Sequence, residues 1–385
     1  MQSDLVALVD CPDYGEATVK KAVQEMFSRL GGLDKFVKPG GKVLIKPNLL
    51  KAEPPEKCCT THPQLVCEIA KQVAALGAQV VIADSPGGAY NKTVLHNLYK
   101  KTGLEQAAKD AGVSLNEDCS EFTVPAKNAK QLSSLTFIAP VKEADVIINV
   151  AKLKTHTLTG YTGAVKNLYG TIPGFTKAEY HFRFKNSEDF CNALIDIEQN
   201  LKPELNIIDA VMAMEGEGPS SGQPRQMGLL IGSSNAHAAD VVGVNLIGYQ
   251  AQSILTTKFA VEGGLSPDID RIKIVGEDLQ KRRIPDFKKA DFACASILKH
   301  RVPGFMRDWL ERALALKPKF LYQKCVGCGI CEKSCPPKAI TMVDKKPQIN
   351  EDKCINCFCC QELCPQRAVK VKKNFAFKLV KLLDH

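Results

Sequence analysis

Apolar residues in the first three hundred positions fall into short unbroken runs. LVALVD (5–10), KVLIKPN (42–48), QVVIADSP (79–86), DVIINV (145–150), LNIIDAV (205–211), MGLLIG (227–232) and RIKIVG (271–276) all have strand length and β-branched content. Between most of them the pattern turns helical. Thr18 to Leu33 reads as a helix, and His62 to Gly77 carries Leu65, Val66, Ile69, Val73 and Leu76 on one face, with Gly77 as its stop. Apolar strands alternating with amphipathic helices predict an α/β domain with a mostly parallel, doubly wound sheet covered on both faces. In such sheets ligands bind beyond the carboxyl ends of the strands.

Unusual residues collect at those ends. Lys46-Pro47-Asn48 closes the second run and Asp84-Ser85-Pro86-Gly87-Gly88 the third. After DVIINV come Lys152, Lys154, His156, Lys166 and Asn167, interleaved with Gly and Thr. Lysines and backbone N–H groups so placed suit a phosphate or carboxylate. No G-x4-G-K-[ST] loop and no G-x-G-x2-G fingerprint is present, which argues against Walker-type and Rossmann-type nucleotide sites. Asp209, Glu215 and Glu217 surround a Gly/Pro/Ser loop, 216–224. Asp84 and Glu215 are candidates for holding a metal or orienting a base, although Asp84 is equally suited to an Asx turn or a helix cap. Asp240, in an apolar stretch, is either a surface residue or a buried acid with a partner. Cys58, Cys59, His62 and Cys67 lack a second C-x2-C pair and read as ordinary thiols.

Composition matters through the cysteines. The chain has 385 residues and 16 cysteines, with no secretory leader pattern at its start and no apolar run of transmembrane length. A cytoplasmic protein using thiols for metal or redox chemistry is therefore expected. Eight of the cysteines form two copies of C-x2-C-x2-C-x3-C-P: Cys325, Cys328, Cys331, Cys335 and then Cys354, Cys357, Cys360, Cys364. This resembles the run of bacterial two-cluster ferredoxins, in which the fourth cysteine of each copy ligates the other cluster. The resemblance assigns Cys325, Cys328, Cys331 and Cys364 to one 4Fe–4S cluster, and Cys354, Cys357, Cys360 and Cys335 to a second. Cys359 falls out of register as a spare. A zinc ribbon needs two C-x2-C pairs, not two complete runs. The formal charge is +9, but from Phe320 onward 12 basic residues face 6 acidic ones. Two clusters at about −2 each offset much of that excess, so nucleic acid is not an expected partner.

The segments VLIKPNLL, TTHP (60–63), ADSPGG, ADVIINVAKLKTHTLTGYTGAVKNLYG, KAEYHFRF and IIDAVMAMEGEGP resemble the family catalogued as domain of unknown function 362, across roughly residues 1–300. Members often carry the same C-terminal ferredoxin module. A second, local similarity joins His156, the TG-x-x-G stretch, Lys166 and Ile172-Pro173-Gly174 to the nickel-pincer lactate racemases. It implies that Lys166 and His156 face a ligand; this chain has Ala and Val where that segment favours Gly.

The expected organisation is an α/β domain over 1–300, a linker helix over 301–320, a small α+β ferredoxin-type domain over 321–373 and a basic amphipathic tail over 374–385. The leading functional expectation is an oxygen-sensitive oxidoreductase. Electrons pass through two 4Fe–4S clusters to an anionic small molecule, or to a further unidentified cofactor or metal, in the α/β domain. Lys46, Asn48, Asp84, Lys152, Lys154, Asn167 and Glu215 are the expected binding residues, and His156, Lys166 and His181 the expected catalytic ones. One alternative is an electron-transfer or assembly partner without its own chemistry, docking through 301–320 or the tail. Another is a redox-neutral relative of the nickel-pincer racemases.

Overall fold

The computed structural model describes residues 4–184, 186–290 and 316–372. Its centre is a nine-stranded sheet whose main path runs β11-β1-β10-β9-β7-β2-β3-β4. The strands are β1 (Leu5–Asp10), β2 (Lys42–Pro47), β3 (Gln79–Ile82), β4 (Ser114–Leu115), β7 (Val146–His156), β8 (Gly160–Thr162), β9 (Leu205–Glu215), β10 (Gln223–Ser233) and β11 (Lys273–Gly276). β5 (Glu121–Pro125) and β6 (Ser134–Ile138) form a separate antiparallel hairpin.

Strands β9, β7, β2, β3 and β4 are parallel, so their carboxyl ends share one rim. The expectation of a mostly parallel sheet holds, with one insertion. β10 runs antiparallel to both β1 and β9, because only residues 216–222 join it to β9. That is too short for a crossover helix, so the chain returns as a hairpin. Both faces are covered. Along β1, Val6 and Leu8 enter one apolar core while Ala7 and Val9 enter the other, following the two-residue alternation of a strand. Helices Glu16–Arg29 and Pro63–Ala75 pack on the second face; Ser187–Leu201 and Ala236–Leu246 pack on the first. Pro63 opens its helix and His62 Nδ1 accepts from Gln64 N, which fixes that start one residue later than expected.

Apolar content marked the run DVIINV (145–150) only as far as Val150, yet β7 continues to His156 and all its residues after Val146 are buried. Lys152, Lys154 and His156 therefore lie on a strand, not in a loop. Their spacing of two puts them on one face.

The C-terminal module has two repeats. β12 (Lys317–Phe320) pairs with β15 (Val369–Lys372), and β13 (Ile340–Val343) with β14 (Lys346–Ile349). A one-turn helix follows the cysteine loop in each repeat, Ile330–Lys333 and Cys359–Glu362. The end of the stretch expected as a linker helix is thus a strand; 301–315, and the tail 374–385, lie outside the described residues. The module sits on the carboxyl rim of the sheet. Lys51 Nζ donates to Cys364 O at 3.2 Å, Lys370 pairs with Glu217 at 2.6 Å, and Thr157 Oγ1 meets Gln361 Oε1 at 3.3 Å. Leu363 packs against Gly87, where an added Cβ would fall 2.5 Å from Leu363 Cδ2 and displace that side chain.

Candidate functional site

The lysines at the rim divide into two classes. Lys46 is fully buried and 2.6 Å from Asp84 Oδ1, whose second oxygen accepts from Leu49 N at 2.6 Å. Burial pushes the Lys46 ammonium down and the Asp84 carboxyl up, and their mutual attraction opposes both shifts. Gly170 closes over this pair; a Cβ there would meet Asp84 Oδ1 at 2.0 Å and Lys46 Nζ at 2.6 Å. Lys152 is likewise committed, to Asp209 at 2.9 Å and to Tyr14 OH at 2.8 Å. Expected as anion ligands, Lys46 and Lys152 are instead neutralised in place. Asp84 borders the cavity described below, but its carboxylate belongs to Lys46 and Leu49. Glu215, expected in the same site, accepts from Lys288 N at 3.0 Å at the end of β9 and does not border that cavity. The two carboxylates considered for a metal are thus each committed elsewhere.

Among the described residues, the second class makes no such close ion pair with a carboxylate. Lys154 donates to Asn48 Oδ1 at 2.6 Å and to Cys59 O at 2.8 Å. Asn48 donates onward to Asn167, Asn167 to Asn149, and Asn149 to Asn206. This amide chain runs from the rim into the sheet and holds Lys154 in place. Burial pushes the Lys154 ammonium down to about 7. Lys166 stands over the rings of Tyr169 and Phe190, and burial lowers it too. Lys177, absent from the expected set, donates to Ser85 Oγ at 2.9 Å and is pushed by burial to about 7. It lies one helical turn before His181 in the helix Thr176–Arg183, on the same face. That spacing was the available signal for it.

Lys154, Lys166, Lys177, His156 and His181 all line one cavity of about 90 Å³. His156 Nδ1 accepts from Leu158 N at 3.1 Å, so the ring proton is assigned to Nε2. Burial, reinforced by Lys166, lowers His156 to about 4; burial also takes His181, stacked on Phe190 at 4.4 Å, to about 4. The far wall comes from the C-terminal module: Ser334, Cys359, Glu362 and Leu363. Glu362 Oε1 lies 3.1 Å from His156 Nε2. Burial would push this carboxyl up, but His156 and Lys166 beside it hold it down at about 2. Nothing in the cysteine pattern pointed to Glu362, because it occupies a free position between two expected ligands.

The cysteines fall into two groups. A small cavity of about 20 Å³ is lined by Cys325, Cys328, Cys331 and Cys364. This is the set that mixes three thiols of one run with the last of the other. Cys335, Cys354, Cys357 and Cys360 are the complementary neighbours: after burial, thiols of this group raise the Cys354 and Cys360 values. The donor sets fit 4Fe–4S clusters. Cys359 belongs to neither; its thiol is buried and hydrogen-bonds with Cys357. Cys58 and Cys59 pack with Met214, Cys67 is on the buried face of the helix Pro63–Ala75, and His62 stacks on Tyr14. Asp240 is the buried acid with partners, accepting from Ala164 N and Val165 N.

The family model described as "Domain of unknown function (DUF362)" matches residues 43–245. The chain belongs to the DUF362 family. In this DUF362 protein a second model, "4Fe-4S dicluster domain", matches residues 324–368 and takes in all eight run cysteines. A thylakoid-associated protein of Synechocystis sp. is 32% identical over 265 residues, 68% of this chain and 80% of the relative. Among solved structures, the lactate racemase apoprotein of Thermoanaerobacterium thermosaccharolyticum aligns with a TM-score of 0.40 at 16% identity. The alignment covers 62% of this chain and only 56% of that one, and nothing of that enzyme's activity is transferred on it.

Proposed function

We propose that this DUF362 protein is an iron–sulfur oxidoreductase that binds a small anionic molecule in the cavity between its modules. The observation that carries this reading is the composition of the cavity wall. Three lysines and two histidines from the sheet rim face a helix, Cys359–Glu362, that itself contains a cluster-type cysteine. Cys325, Cys328, Cys331 and Cys364 would hold one 4Fe–4S cluster, and Cys335, Cys354, Cys357 and Cys360 the other. Such clusters supply single electrons at the cavity wall.

The protein's own groups do the rest. Lys154, Lys166 and Lys177 bind the anion as point charges, and arriving negative charge favours the protonated form that burial disfavours in each of them. His156, lowered to about 4, is neutral near pH 7 and presents Nε2–H toward the cavity as a hydrogen-bond donor for the bound anion, beside the ionised carboxylate of Glu362. The Cys325, Cys328, Cys331 and Cys364 set is the more exposed of the two, with Cys328 and Val326 at the surface, which would suit docking of a redox partner there.

The test is made on protein purified without oxygen. Metal and sulfide analysis is expected to give about eight iron per chain. Reduced protein is then mixed with a panel of small carboxylates and phosphates, and reoxidation is followed at the cluster absorption. Saturable reoxidation lost in Lys154→Ala and Lys166→Ala supports the reading. Reoxidation independent of any anion, or unchanged in both variants, refutes it.

A further inference from the structure

A second, larger depression opens beside the charged cavity. It measures about 600 Å³, and Pro86, Ala89, Val94, Leu98, Phe175 and Ile330 are among its walls. Phe175 is 48% exposed and Ile330 38%, so two large apolar side chains from different modules stand in solvent at its margin. An exposed apolar patch on a charged protein marks a binding surface more often than an accident of composition. What identifies the occupant is continuity. Gly87, Gly88, Phe175, Ser334 and Leu363 border both the cavity and the groove. Neither glycine carries a side chain at this shared border, and Leu363 packs over Gly87, with its Cδ2 2.5 Å from where a Cβ would lie.

The charged end is small and lacks a complete set of partners. His156 Nε2 and Glu362 Oε1 are buried and, among the described residues, have no well-oriented hydrogen-bond partner. A group of several heavy atoms suits that end, and a larger apolar body suits the other.

We infer that the ligand is amphiphilic: a carboxylate-type anionic head seated among Lys154, Lys166 and Lys177, and an apolar chain or ring of several carbons lying in the groove toward Val94, Leu98 and Ile330. This rests on the anion-binding reading of the cavity and adds the second half of the molecule. It also accounts for a groove built jointly by the two modules, since an occupant would report on their contact.

The experiment uses full-length, anaerobically purified holoprotein and a homologous series as probe: acetate, butanoate, hexanoate and octanoate, titrated by calorimetry. Affinity is expected to rise about two- to fourfold per methylene up to six or eight carbons, since a fully buried methylene is worth about fourfold. Val94→Ser and Ile330→Ser, which border the groove and not the charged cavity, are expected to flatten that slope while leaving acetate binding unchanged. Lys166→Ala is expected to weaken every member of the series equally. Acetate binding with no dependence on chain length overturns the inference and leaves the anion site standing; the same result follows if another part of the chain covers the groove. Binding of no member at all, acetate included, removes the anion site and this inference with it. A slope that survives both groove substitutions places the apolar part elsewhere and also overturns it.

Discussion

His156 and Glu362 meet at 3.1 Å although 205 positions separate them and they belong to different modules. His156 ends a strand of the large sheet, and Glu362, between Cys360 and Cys364 in sequence, ends the short helix Cys359–Glu362. The pair therefore joins the anion cavity to the cluster-bearing module. Glu362 occupies the cavity edge as a carboxylate among Lys166, His156 and His181. It resembles a tethered competitor for the ligand.

Replacing that carboxylate separates competition from scaffolding. Glu362→Gln keeps the shape and removes the charge, so sulfate and acetate are expected to bind several-fold more tightly, by calorimetry on the reduced and oxidised holoprotein. Unchanged or weaker affinity would mean that Glu362 supports the site and does not compete for it.

Anion binding should weaken as pH rises through neutrality. Lys154 and Lys177 are both held down to about 7 by burial, so each is charged below that value and neutral above it. The dissociation constant for acetate is expected to rise roughly tenfold or more between pH 6.5 and 8.5. A flat profile would leave Lys166 as the sole anchor.

Stability should respond to pH with its own sign. His156 and His181 are lowered to about 4 in the folded protein, against 6.5 in an unfolded chain. Between those values the unfolded chain binds protons that the folded one refuses. Stability is therefore complete above about pH 6.5 and falls as pH drops toward 4, by roughly 3 kcal/mol per histidine at most. Anaerobic denaturant titrations at pH 5.0, 6.0 and 7.5 measure the slope, and His181→Gln is expected to reduce it.

The two classes of lysine should fail differently. Lys46→Met strands Asp84 in the interior and is expected to cost about 3–5 kcal/mol in denaturant unfolding. Lys166→Met leaves Glu362 its neighbour His156 at 3.1 Å, and is expected to weaken anion binding strongly with a smaller loss of stability than Lys46→Met. Equal destabilisation by both would contradict the division.

The cysteine assignment can be counted. Cys364→Ser removes one thiol from the group of Cys325, Cys328 and Cys331, so iron is expected to fall from about eight to about four per chain while the second cluster's signal persists. Cys359→Ser is expected to leave the iron count unchanged. Loss of iron in that variant would make Cys359 a ligand.

Local pattern determined a good deal of this protein. The two cysteine runs carry their ligand spacing within about ten residues each, because a cubane corner is wrapped by consecutive loop positions. The alternation of apolar strands and amphipathic helices was enough to predict an α/β sheet, since burial on two faces demands continuous apolar runs. Lys154, His156 and Lys166 were likewise visible as polar residues after a strand end, and His181 as a candidate for proton exchange in the KAEYHFRF segment. Pairing was not visible. Whether a lysine binds a ligand or is silenced depends on which carboxylate the fold brings to it, and Asp84 reaches Lys46 only through the neighbouring strand β3, while Asp209 reaches Lys152 through β9. The reach of β7 through its polar half was also hidden, because burial there comes from neighbouring strands and the second module, not from its own composition. Glu362 and Lys177 entered the site for the same reason. A buried charge is set by long-range neighbours, and those neighbours exist only once the two modules have met.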